Sequence, residues 1–69
     1  MTIEEWRIRL RWSKEKMAEK AGIDANTLRR AIQGEPIYKV TGERIAKAIS
    51  DETGQPISYK DLEGVVYYD

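Results

Sequence analysis

The chain has 69 residues, 41% of them hydrophobic and 35% charged, with twelve Lys+Arg against twelve Asp+Glu and neither cysteine nor histidine. That leaves room for one domain with a thin core, excludes a disulfide staple or a thiolate metal site, and removes the commonest catalytic base and metal ligand. No apolar run approaches a membrane span and no signal-peptide core stands at the N-terminus, so a cytoplasmic location without a membrane partner is expected.

A formal charge of zero argues against a generic polyanion binder, but the charges are unevenly spread. Residues 1–34 hold eight bases and five acids, a surplus of three positive; residues 35–69 hold four bases and seven acids, a surplus of three negative. A dipolar molecule with its basic end in the first half is expected.

In chain order, Thr2 and Glu5 have the spacing of a capping box, and Ile3, Trp6 and Leu10 share one helical face. Trp6 and Trp12 read as core or corner residues, Trp12 as a staple into the next helix. Ser13 caps a second helix, Lys14 to Ala21, with Met17, Ala18 and Ala21 inward and Gly22 ending it. Ile23 plugs the turn, Asp24 caps a third helix over Ala25–Gln33, and Leu28, Ala31 and Ile32 face the core. After a loop stiffened by Pro36, Thr41 is the expected cap of a fourth helix, Gly42–Thr53, with Ile45, Ala46 and Ile49 as its apolar stripe. Ser58 and Asp61 form a second capping box for a single turn ending near Leu62, and Asp61 and Glu63 read as capping acids rather than a metal site. Residues 1–63 are expected to form the domain and 64–69 a tail. Val65-Val66-Tyr67-Tyr68 has the highest strand propensity in the chain. It fits a loose end, a strand paired with its twin across a two-fold axis, or a segment folded back over the small core.

The stretch Ser13–Gly34, SKEKMAEKAGIDANTLRRAIQG, carries the functional signal. Ala18 is small where two helices would cross, Gly22 turns, and Ile23 and Leu28 lock the second helix onto the first: a helix-turn-helix. Its second helix carries Asn26, Arg29, Arg30 and Gln33, side chains suited to base edges and phosphates.

Ser13 to Ile23, then Thr27-Leu28-Arg29-Arg30 and Gly34, resemble the lambda-repressor-like (Cro-type) helix-turn-helix family. Arg44-Ile45-Ala46-Lys47-Ala48-Ile49 is similar to that family's fourth helix, and Ile57 to Leu62 to its closing element, so the likeness spans roughly residues 3–63. The resemblance implies an all-α domain of five compact helices that binds double-stranded DNA, with a recognition helix at about Ala25–Gln33. Base contacts are then expected from Ala25, Asn26, Arg29 and Arg30. Phosphate contacts are expected from Lys14, Lys16, Thr27, Gln33, Tyr38 and Lys39.

Three positions depart from the family pattern. Lys14 stands where a glutamine is common, beside a phosphate. Ile32 occupies the place of a glutamate that pairs with an arginine in the first helix, so Arg7 is expected to use Glu35 or a phosphate instead. Ser50–Gln55 lengthens the fourth helix and the loop after it.

The expected function is a sequence-specific, dimeric transcriptional regulator, a repressor by resemblance. The alternative is a protein-interaction module on the same fold, such as an antitoxin or a phage accessory or recombination factor, which the zero net charge favours. No acid-base, nucleophilic or metal constellation is visible, so neither an enzyme nor a cofactor is expected, and with no sensing domain no small-molecule ligand either.

Overall fold

The computed structural model describes residues 1–68. Four α-helices are found among them, α1 (Ile3–Leu10), α2 (Lys14–Ala21), α3 (Ala25–Ile32) and α4 (Lys39–Thr53), followed by a 3-10 turn over Tyr59–Asp61. No sheet forms among the described residues, and strand pairing amounts to two isolated parallel bridges, Thr2 with Glu63 and Ile37 with Tyr67. The expected fifth helix is therefore one 3-10 turn. Its capping box closes over three residues, and Leu62 then turns extended because Glu63 is drawn to Thr2.

Polar side chains mark most helix starts. The Thr2 hydroxyl accepts from the Glu5 N–H at 3.1 Å, and the Glu5 carboxylate accepts from the Thr2 N–H at 2.7 Å. Ser13 accepts from the Lys16 N–H at 3.0 Å and Asp24 from the Thr27 N–H at 2.7 Å. Each such cap satisfies a donor that the helix leaves free and is worth about 1 kcal/mol. The apolar stripes then meet in one core built on Ile3, Met17, Leu28, Ile45 and Ile49, all but inaccessible to water. Trp6 and Trp12 close its edge. α2 packs against both α3 and α4, α1 against α3, and the 3-10 turn against α4.

Several expectations need correction. α4 begins at Lys39, three residues before Gly42, and its N-cap is Tyr38, whose side chain makes no capping bond. The start is set instead by the backbone of Ile37, which is held from both sides by the tail. α3 ends at Ile32, with Gln33 as its C-cap. Arg7 does not reach Glu35. It pairs with Glu4 one turn back and donates to the Trp12 carbonyl at 2.9 Å, bracing the α1–α2 corner. That corner turns through Arg11, a non-glycine residue at φ 59°. Glu63 caps nothing; its carboxylate meets the amino group of Met1.

The tail folds back on its own domain. The Ile37 N–H donates to the Val66 carbonyl and the Tyr68 N–H to the Ile37 carbonyl, each at 2.9 Å. Tyr67 lies against the flat backbone at Gly42, where a Cβ would stand 2.5 Å from the tyrosine ring. Its hydroxyl donates to the Tyr59 carbonyl at 2.8 Å, and burial pushes that phenol up to about 12. Asp69, the last residue of the expected tail, lies outside the described residues.

Candidate functional site

The site is the outer face of α3, and its rigidity comes from the residues beneath and before it. α2 ends at Gly22, whose φ of 70° suits a residue without a Cβ. Ile23 then donates its N–H to the Ala18 carbonyl at 3.0 Å and rests against the core. From α4, Arg44 reaches the Gly22 carbonyl at 3.5 Å, a long contact across the turn. Asp24 opens α3. Its carboxyl is held below the usual aspartate value chiefly by the Thr27 backbone bond, with the nearby Arg30 charge a smaller cause.

Once started, α3 is strongly two-sided. Leu28 and Ala31 are buried, while Asn26, Arg29, Arg30 and Gln33 are exposed. These four surround a shallow hollow of about 440 Å³ on the molecular surface. The Arg29 guanidinium donates to the Asn26 amide oxygen at 3.1 Å, which orders the two as a pair and leaves the amide NH₂ free to donate. Arg30 stands 3.8 Å from Glu35, with 65% of its own side chain and 50% of its partner's open to solvent. A pair so exposed contributes little and is readily exchanged for another anion.

The remaining expected contacts divide into four groups. Thr27 is half-buried and lines a second cleft of about 300 Å³ together with Arg30 and Tyr38, so Arg30 is the wall shared by hollow and cleft. Lys39 is exposed at the first residue of α4. Lys14 and Lys16 sit at the start of α2 and line neither depression; Lys14 is half-buried, and Lys16 lies 3.7 Å from Glu19. Ala25 is half-buried and packs partly on the core, so its methyl presents the least surface of the expected base contacts.

Three residues in this region were not expected from the sequence to belong to the site. Thr41 and Tyr68 line the second cleft, and Arg44 bridges the turn. Tyr68 belongs to a segment whose strand propensity was plain, but nothing local gives its register against Ile37. Arg44 sits on the exposed side of a helical stripe, where its pattern is that of any solvated arginine.

Among the described residues no three His, Cys, Asp or Glu side chains are grouped to hold a metal ion, and no helix is long and apolar enough to cross a membrane. No protein-family model matches the chain, nor does any curated protein or any solved structure.

Proposed function

We propose that this chain is a sequence-specific, double-stranded DNA-binding regulator of transcription, acting as a repressor through a helix-turn-helix formed by α2 and α3. One observation carries the reading. Asn26, Arg29, Arg30 and Gln33 stand together in solvent on a helix whose other face is locked down by Leu28 and Ala31. Such a ridge fits a major groove about 12 Å wide, with α2 crossing the backbone. Asn26 has the donor and acceptor that adenine requires, and Arg29 and Arg30 have the fork that suits guanine. Lys14, Lys16 and Lys39 supply salt-dependent affinity for phosphates, and Thr27, Gln33 and Tyr38 supply neutral hydrogen bonds to the backbone. The likeness of Ser13–Ile23, Thr27–Arg30 and Gly34 to the lambda-repressor-like family supports the same reading.

A two-fold pair would set two α3 helices one duplex turn apart, about 34 Å. The protomer measures 29 Å along its longest axis, so two copies have room side by side within that spacing. One edge of the tail is already taken by Ile37, so a pairing through the tail would have to use its other edge.

The second reading, a protein-interaction module, is favoured by the zero net charge and by exposed Ile8, Val40 and Val66. Electrophoretic shift at low and moderate salt separates the two. Binding that weakens steeply as salt rises supports the regulator; no shift at either salt supports the interaction module.

A further inference from the structure

The tail presents an aromatic side chain to the cleft beside α3. Tyr38 and Tyr68 are 66% and 48% exposed, yet their rings are stacked on each other with centroids 4.8 Å apart and planes tilted by 39°. Two exposed rings would ordinarily be free to rotate. These are brought together by the hydrogen bonds that clamp Val66 and Tyr68 around Ile37, the residue immediately before Tyr38. Behind the clamp, Tyr67 is seated on Gly42 and bonded to the Tyr59 carbonyl. The position of Tyr68 is thus fixed by long-range contacts, and through it the position of the Tyr38 ring.

The cleft that the pair borders has a definite chemistry. Thr27, Thr41, Tyr38 and Tyr68, four hydroxyl-bearing residues, line it with one cation, Arg30, and among the described residues no carboxylate side chain does. Such a lining suits an anion that accepts hydrogen bonds. It shares Arg30 with the hollow on α3, so a duplex pressed onto α3 would lay a strand of its backbone along it.

We infer that Tyr68 is a positioning residue for DNA binding: its ring holds Tyr38 so that the Tyr38 phenol, with Thr27, donates to a backbone phosphate seated in this cleft. The tail then belongs to the binding face rather than merely closing the core. The inference rests on the proposed DNA reading and extends it to a segment outside the two helices of the motif.

The test measures binding of the full chain to two probes, a duplex enriched from a random library by the wild-type protein and a 20-base-pair duplex pool of random sequence. Tyr38→Phe removes the donor and lowers affinity for both by about tenfold, the cost of a hydrogen bond to a charged group. Tyr68→Ala lowers both by roughly threefold to tenfold, whereas Tyr68→Phe, which keeps the stack, binds as wild type. Because no cation is lost, the slope of log affinity against log salt stays unchanged in all three. Gly42→Ala, which drives the tail off by crowding Tyr67, reproduces the Tyr68→Ala loss and does not add to it. Melting temperatures, measured alongside, separate loss of fold from loss of contact. The inference is overturned if Tyr68→Ala binds within twofold of wild type, as it would were the tyrosine pair a protein-docking patch. It is overturned equally if Tyr68→Phe is as weak as Tyr68→Ala. In both cases wild-type binding to the enriched duplex leaves the DNA reading standing; a wild-type chain that binds neither probe removes both.

Discussion

The α2–α3 corner and the junction of α4 with the tail are built by opposite means. At the corner the instructions are local: Ser13 and Asp24 each cap a helix by accepting the N–H three residues ahead, and Gly22 turns between them. At the junction no polar side chain caps α4, and the geometry comes from residues some thirty positions apart, Ile37 against Val66 and Tyr68, and Gly42 against Tyr67. A locally specified corner takes its shape from residues within the motif itself. A junction specified at long range makes the far end of the chain part of whatever surface it borders, and here that surface adjoins α3.

The largest expected effect breaks the corner. Leu28 is inaccessible to water, and Leu28→Ala should cost about 2–5 kcal/mol in urea unfolding, enough to leave so small a domain largely unfolded. The junction is broken next by Gly42→Ala, where crowding against Tyr67 should cost about 1–3 kcal/mol. This prediction sharpens on a Tyr67→Ala background. With the ring gone, the same Gly42→Ala change should become stabilising by up to about 1 kcal/mol, the helix propensity that alanine adds. Loss of stability on both backgrounds would mean that the close approach of Tyr67 is not what requires glycine there.

Protons discriminate between the regions more gently. Asp24 has a lowered folded-state value relative to its ordinary 3.8. Its contribution is therefore present above that value and lost as pH falls through and below it. Tyr67 is raised from 10.0 to about 12, so its contribution is complete below pH 10 and lost as pH rises from there to 12. Of these two regions, acid should loosen the corner and alkali the tail. Asp24→Asn, which keeps a cap without the titration, should lessen the acid loss but leave the share of Glu4 and Glu5, which are also held below their ordinary 4.5; Tyr67→Phe should flatten the alkaline limb. Thermal unfolding followed across pH checks both. The smallest effect lies at the α1–α2 corner, where Arg11→Gly relieves a left-handed backbone and should raise stability by about 0.5–1 kcal/mol.

The same contrast explains what could be read from the residues alone. α1, α2 and α3 were legible because each carries its cap and its stripe within a dozen residues: Thr2 with Glu5, Ser13 before Met17 and Ala18, Asp24 before Leu28. The exposed ridge on α3 was legible for the same reason, since burying Leu28 and Ala31 turns Asn26, Arg29, Arg30 and Gln33 outward. The start of α4 was not. Thr41 offers a capping side chain that the helix does not use, and Tyr38-Lys39-Val40 carries no local sign of a helix start. That Arg7 takes Glu4 and the Trp12 carbonyl rather than Glu35 was not legible, because the choice depends on how tightly the corner at Arg11 turns. The cleft beside α3 was half visible: Thr27, Arg30 and Tyr38 were expected at the interface, but Tyr68 reaches them only through pairing with Ile37, which no spacing along the chain encodes.

The exposed ridge on α3 is proposed to read base sequence. Selection from a random duplex library with wild-type protein, repeated with Arg30→Ala, tests it most directly. Wild type should enrich a two-fold symmetric site with half-sites about one helical turn apart, and Arg30→Ala should weaken binding by about 1–3 kcal/mol while relaxing a single position in each half-site. An unchanged consensus with equal weakening on every sequence would reduce Arg30 to a phosphate contact, and no enrichment by wild type would contradict the claim outright.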